Sequence, residues 1–269
     1  MGELWIVLAV SCGLAFLSEK YTFAWNGRPS KVLNYGIVVL LIAYLSLFAG
    51  LRTSYNDTPA YISGYKAMSA FPAILTDFSW ELGDNPGFTL LNSMMKAAGF
   101  SAQAFVLTYS ILFVAAAVSF LKKYSSSFTL SIFLFVCAYG YLFSMAAIKQ
   151  CASIAIGLIA TPYLLKKKWI SYVLIIFFAA TFHPYILLFL LMPLLRFKPW
   201  TGGTWILLLT AVGAGLFLPR IIGTVVDAAA LLGDGYDATK FIGEGVNIFR
   251  VLVASVSVLL TLVFRRLVI

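Results

Sequence analysis

Charge is scarce in this chain. Lys, Arg, Asp and Glu together make 11% of its 269 residues, where soluble domains carry about 25%. With 62% apolar residues beside it, that scarcity excludes an ordinary soluble domain. Acidic residues are the rarer sign, 10 against 19 basic. Histidine occurs once, at His183, which excludes a zinc site built from several histidines. The three cysteines, Cys12, Cys137 and Cys151, are odd in number and lack C-x-x-C spacing. They give neither a disulfide framework nor a thiolate metal site and read as small apolar side chains. No Gly-rich nucleotide loop, H-E-x-x-H or G-x-S-x-G occurs, so nucleotide-driven transport and hydrolysis of those kinds have no support. Internal repeats and low-complexity tracts are absent as well.

Long apolar runs dominate instead. They lie at about 4–17, 33–51, 102–121, 128–146, 151–165, 170–195, 205–226 and 248–264. A helix needs about 20 residues to cross about 30 Å of hydrocarbon. The expected fold is all-α: one integral membrane domain over residues 1–269, a polytopic transmembrane bundle of about 8–10 membrane segments. Glu3 and no basic residue precede the first run, and Lys20, Arg28 and Lys31 follow it. That order predicts an uncleaved first helix with its N-terminus outside.

The charged residues alternate with these runs. The run 170–195 is broken by His183-Pro184 and flanked by Lys166, Lys167 and Lys168 before it and by Arg196 and Lys198 after. Proline breaks or kinks a helix, so the run is read as a hairpin with His183 near the outer face rather than as one tilted helix. The inner loops then hold 12 basic residues and the outer loops 7, the bias of the positive-inside rule. The net charge of +9 thus points to membrane orientation and anionic headgroups, not to nucleic acid. Two outer loops are long. Residues 52–101 carry amphipathic stretches expected to form one or two interfacial helices; residues 227–246 are rich in Gly and Asp.

Outer-end polar residues are the chemical candidates. Arg52 ends the second run, and Asp57, Tyr61 and Tyr65 follow at a spacing of four, one face of a helix. Lys149 and Gln150 open the fifth run, where a cation stands against the usual bias. Ser153, Gly157 and Thr161 continue at a spacing of four, a small-residue face for close helix packing. His183 lies at membrane depth, where an ionisable group is costly and therefore a functional candidate. Arg220 and Arg250 stand near the outer ends of the last two runs. With Arg52 and Lys149 they make four cations near one face, a set suited to a diphosphate. Each has a plainer reading: Arg and Lys snorkel, Tyr sits at headgroup depth, and a lone histidine satisfies helix packing.

Three stretches together resemble the EpsG/Wzy-type family of bacterial polysaccharide polymerases. Gly50-Leu51-Arg52 with Asp57 and Tyr61 is similar to that family's G-L-R…G-x-D…Y stretch. Ala147-Ile148-Lys149-Gln150-Cys151-Ala152, followed by Lys166-Lys167-Lys168, is similar to its R-Q-x-x-A…K-K pattern. Ala179-Ala180-Thr181-Phe182-His183 is similar to its A-x-x-F-H. Order and spacing agree over roughly residues 35–195. Lys149 stands where the family usually has Arg, and Asn56 where it usually has Gly. Such proteins are usually longer than this chain.

The resemblance implies a membrane glycosyltransferase of the GT-C type in the bacterial inner (cytoplasmic) membrane. It would move a growing glycan from undecaprenyl diphosphate onto a sugar hydroxyl of the next lipid-linked repeat unit, on the periplasmic or exterior face. No metal and no cofactor is expected. The implied partners are the lipid-linked oligosaccharide, the bilayer and a chain-length regulator. Outer-face cations would stabilise the departing diphosphate: Arg52, then Lys149, Arg220 and Arg250. A base must take the hydroxyl proton; the candidates are His183 first and Asp57 second. Tyr61, Tyr65 and Gln150 would contact substrate. A transporter or flippase of a lipid-linked oligosaccharide is the alternative. It would use the same cations without making bonds, but it commonly shows paired broken spans, and only one is visible.

Overall fold

The computed structural model describes residues 2–20, 24–25, 28–29, 31–138, 140–196, 200–213 and 248–264. The chain forms two units, residues 1–187 and 188–269. The first unit carries nine α-helices among the described residues: α1 Gly2–Lys20, α2 Lys31–Gly50, α3 Thr58–Ala67, α4 Pro86–Ala97, α5 Ala102–Tyr124, α6 Phe128–Cys137, α7 Gly140–Ala146, α8 Ile148–Leu165 and α9 Trp169–Ala180. A two-residue antiparallel pair, Ala24–Trp25 with Arg28–Pro29, lies between α1 and α2. Of the second unit, the described residues include α10, Gly202–Gly213, and α11, Ile248–Val263.

This is an all-α polytopic membrane fold. Gly2–Glu19, Ala102–Tyr124 and Ile148–Leu165 are each long and apolar enough to cross a membrane, and α6 and α7, which meet at a bend of 47°, are so only when taken together. The stretches 34–50, 169–180, 184–193 and 202–213 form shorter apolar helices. The sequence reads 128–146 as one apolar run; the structure divides it into α6 and α7 next to Gly140, a poor helix residue. The run 170–195 is broken as expected: α9 stops at Ala180 and a 3₁₀ segment, Pro184–Arg196, follows.

α5 is the central helix. It packs on α2 and α8, while α1 packs on α2 and α6, and α8 on α9. The main core interleaves α1, α2, α5, α6 and α7 through Val7, Leu41, Leu45, Val114, Ile132 and Tyr141. Burying such side chains is worth about 25 cal/mol per Å² where water is the alternative; inside lipid, close packing takes over that role. Small residues make this possible. A Cβ on Gly50 would stand 2.9 Å from the Leu107 Cα, so only glycine lets the end of α2 reach α5. On α8, Ser153 and Gly157 are buried, and the Ser153 hydroxyl donates to the Ala179 carbonyl of α9 at 3.0 Å, as the small-residue face predicts.

Hydrogen bonds across the helix ends define two polar ends. At one, Lys122 at the end of α5 donates to the Ser18 carbonyl at 3.0 Å. The Glu19 carboxylate there accepts from the Thr129 amide at 2.7 Å, placing an anion at the positive N-terminus of α6. At the other, Gln103 Nε2 donates to the carbonyls of Gly50 and Arg52 at 2.6 and 3.2 Å, tying the end of α2 to the start of α5.

The loop 52–101 folds over that second end as α3 and α4 joined by two 3₁₀ turns, Ala73–Asp77 and Leu82–Asp84. Pro59 and Pro86 open the two helices, where a missing amide costs nothing. α4 buries Phe88, Asn92 and Met95, the i, i+4, i+7 stripe of an amphipathic helix. Lys96 Nζ donates to the carbonyls of Lys66 and Met68, each at 2.6 Å, a cation on the C-terminal end of α3. The loop 227–246 lies outside the described residues.

Candidate active site

Arg52 sits just past α2, where Gly50 and Gln103 hold the turn. Its Nε donates to Thr58 Oγ1 at 2.9 Å, and its Nη1 donates to the Ala49 carbonyl and to Ser110 Oγ, the latter at 3.2 Å. Nη2 is buried and makes no hydrogen bond to the described protein. Burial lowers the guanidinium to about 10, because leaving water disfavours the charged form; it remains a cation at neutral pH. Arg52 lines a cavity of about 610 Å³ whose walls include Leu4, Tyr44, Phe48 and Leu142, with the Glu3 carboxylate also on its lining.

Asn56 follows in the left-handed region, φ 47°. That geometry suits Gly and Asn, which explains how Asn replaces the Gly of the motif and still makes the turn. Asp57 then caps α3, yet its side chain makes no capping hydrogen bond. Thr58 is fully buried; besides accepting from Arg52 it donates to the Met145 carbonyl of α7 at 3.4 Å.

The i, i+4, i+8 face of Asp57, Tyr61 and Tyr65 lines a second cavity, about 460 Å³, together with Lys149 and Phe88. α8 starts at Ile148, three residues before the predicted boundary of 151, so Lys149 stands in its first turn. The Lys149 ammonium lies 5.8 Å from the centre of the Phe88 ring, a cation–π distance. Beneath the cavity lies an aromatic cluster. Tyr65 stacks on Phe105 at 4.7 Å and donates to the Phe100 carbonyl at 2.9 Å. Phe88 lies 5.1 Å from Tyr109. Tyr65 is therefore half wall and half fastening, whereas Tyr61 is only partly buried, edge-on to Phe88 at 6.3 Å.

His183 is placed at the same end but behind this cavity. It is 4% exposed, its Nδ1 lies 3.3 Å from Asn85 Oδ1, and its carbonyl accepts from Ser153 at 3.2 Å. Asn85 is buried, at φ 54° before Pro86. The α4 N-terminus docks on the α9 break through the Gly87 amide, which donates to the Thr181 carbonyl at 2.9 Å. A Cβ on Gly87 would meet Thr181 Oγ1 at 2.1 Å. His183 thus sits in the joint between the α9 break and the surface helix α4, and it lines neither cavity described above.

The structure brings Asp57, Tyr61, Tyr65 and Lys149 to one cavity and sets Arg52 on the far side of Thr58. Gln150 stands next to Lys149 with its Oε1 buried and without a hydrogen-bond partner among the described residues. Arg250 lies in the first turn of α11, in the second unit. Arg220 lies outside the described residues. Sequence reasoning passed over Thr58, Asn85, Gln103 and Ser110, the uncharged residues that hold Arg52 and His183. Only Asn85 left a signal, as an Asn before Pro-Gly at a helix start.

A helical membrane bundle with a cationic and carboxylate-bearing cavity at one end is a class suited to charged, amphiphilic substrates. The chain belongs to the EpsG family, which matches residues 36–268. That membership gives it a polysaccharide polymerase-type role in general. No curated protein and no solved structure matches the chain.

Proposed function

We propose that the protein is a polymerase that transfers a growing glycan from undecaprenyl diphosphate to the sugar hydroxyl of a lipid-linked repeat unit. One observation carries this reading: in a chain of the EpsG family, Asp57, Tyr61 and Lys149 line one cavity while Arg52, held through Thr58, lines its neighbour. A polymerase needs two lipid-linked substrates, and two cavities flank the Asn56–Thr58 turn. The apolar walls beside Arg52 suit the donor's lipid and diphosphate. The partly exposed Tyr61 ring suits the acceptor sugar, because aromatic faces pack against sugar C–H surfaces.

In the reaction, the acceptor oxygen forms a bond to the anomeric carbon of the donor glycan. The bond from that carbon to the diphosphate oxygen breaks, and its electron pair leaves on the lipid diphosphate. Arg52 stabilises that charge as a cation whose Nη2 makes no hydrogen bond to the described protein, and Lys149 does so as a point charge from the neighbouring cavity. The hydroxyl proton goes to Asp57, whose carboxylate faces the acceptor cavity. His183 acts at one remove, by holding Asn85 and the α4 start against the α9 break. The 12-to-7 distribution of basic residues supports a cytoplasmic location for the Lys122 end and an external one for the site, in a bacterial cytoplasmic membrane.

The direct test supplies the purified protein in nanodiscs with the undecaprenyl-diphosphate repeat unit and no nucleotide. A ladder of lengthening glycans with release of lipid diphosphate is the expected result. Bound substrate that moves across the bilayer without any ladder would overturn the polymerase reading and support a flippase.

A further inference from the structure

The opposite end of the first unit carries a feature that catalysis does not use. α5 ends there in Lys122 and Lys123, both exposed. A cavity of about 790 Å³ runs along α1, α2 and α5, with Val38, Val39 and Ile42 in its wall and Ser119, Lys122 and Lys123 at its edge. A second cavity of about 520 Å³ runs between α5 and α8, walled by Ile111, Leu112, Ala116, Leu158 and Ile159. Ser119 and Lys123 border both. Two apolar-walled cavities therefore share one polar edge, and that edge is cationic.

We propose that this end binds an anionic diacyl phospholipid, with its headgroup phosphate between Lys122 and Lys123 and one acyl chain in each cavity. Charge complementarity argues for the anionic headgroup: the Lys123 ammonium stands at the shared edge, the Lys122 ammonium beside it on the larger cavity, and neither cavity has an acidic residue in its lining. The neighbouring carboxylate, Glu19, is taken up by the Thr129 amide and hydroxyl on α6. The apolar walls argue for a chain-bearing ligand rather than a free anion, since a free phosphate would leave both cavities unfilled. Basic pockets between membrane helices hold lipid headgroups by this combination. The two lysines divide the work. Lys122 already donates to Ser18 Oγ at 2.8 Å and lies over the Phe128 ring at 4.6 Å, so it is fixed. Lys123 lies 5.2 Å from the ring of its neighbour Tyr124, on the edge the two cavities share. The bound lipid would span the α2–α5 and α5–α8 joints. The inference rests on these cavities and lysines and is independent of the catalytic reading.

The test titrates the full chain in detergent with dioleoyl phosphatidylglycerol or dioleoyl phosphatidylcholine and counts bound lipids by native mass spectrometry. The wild type is expected to retain phosphatidylglycerol over phosphatidylcholine. Lys123→Gln should weaken phosphatidylglycerol retention about fivefold, the worth of one cation at a membrane surface, and leave phosphatidylcholine unchanged. Lys122→Gln also loosens Ser18, so Lys123→Gln is the deciding variant, with Ser119→Leu as a second that narrows the shared edge and keeps both charges. Ser119→Leu should reduce retention of both lipids. Equal retention of the two lipids by the wild type would overturn the proposal, as would unchanged phosphatidylglycerol retention in both variants.

Discussion

Arg52 Nε donates to Thr58 Oγ1 at 2.9 Å, and this bond joins the end of α2 to the first turn of α3. Asp57 is the residue before Thr58, so the position of the carboxylate depends on the guanidinium through one hydroxyl. Thr58→Val keeps the shape and removes the bond. A hydrogen bond to a charged group is worth about 1.5–3 kcal/mol, so polymer yield should fall by about tenfold or more at normal expression. Thr58→Ser should retain most of it. Equal yields from the Val and Ser variants would show that the bond does not position the site.

The buried guanidinium carries a pH dependence. Burial brings Arg52 down to about 10, below the ordinary arginine range. The charged form is thus the penalised one in the folded protein. Between the folded and unfolded values the folded state binds fewer protons, and stability from this group rises with pH there. Ligand binding runs the other way: the cation is full below about pH 9 and drains as pH passes about 10. Retention of lipid diphosphate by the purified protein should fall over that range. In Arg52→Gln it should be weak at every pH between 7 and 10.5. A flat profile in the wild type would remove Arg52 from the diphosphate site.

Asp57 and His183 separate by what their loss affects. Asp57 faces the acceptor cavity without a capping bond; His183 is buried against Asn85. Asp57→Asn should leave thermal stability and substrate retention near wild type and cut turnover by about 100-fold or more, the scale of general-base loss. His183→Ala should lower the melting temperature and reduce retention and turnover together. Asn85→Ala should reproduce the His183 phenotype, because it removes the same contact and places a side chain of poor left-handed propensity at φ 54°. The opposite assignment, stability unchanged in His183→Ala with turnover lost, would return the proton to the histidine.

These contrasts also show what the residues alone reveal. A charge inside an apolar context is conspicuous, so Arg52, Asp57, Lys149 and His183 stand out in the sequence. Their arrival at one end follows from antiparallel helices and the parity of the spans. What holds them is not conspicuous. Thr58, Ser110 and Gln103 are ordinary uncharged residues whose importance depends on a partner as many as 87 positions away. The bend between α6 and α7 hides inside an uninterrupted apolar run, because composition is the same on both sides of it. The separation of Arg52 from Lys149 by the buried Thr58 depends on the fold of the 52–101 loop over α5, where several short helices would satisfy the same pattern.

Gly87 and Thr181 make a further contact of this long-range kind. The Gly87 amide donates to the Thr181 carbonyl at 2.9 Å, and an added Cβ would lie 2.1 Å from Thr181 Oγ1 and 2.9 Å from Thr181 Cβ. Gly87→Ala must therefore push α4 off the α9 break or displace the threonine. Overpacking of this kind costs about 1–3 kcal/mol. The Thr181 hydroxyl is otherwise used only locally, donating to the Phe178 carbonyl at 2.7 Å, so Thr181→Ala alone should be mild. The double variant should recover most of the melting temperature lost in Gly87→Ala, a coupling of about 1 kcal/mol or more in the cycle. Additive losses would mean that α4 rests on the break through its amide alone. Because α4 carries Phe88, the wall behind Lys149, substrate retention should follow the melting temperature across all four proteins.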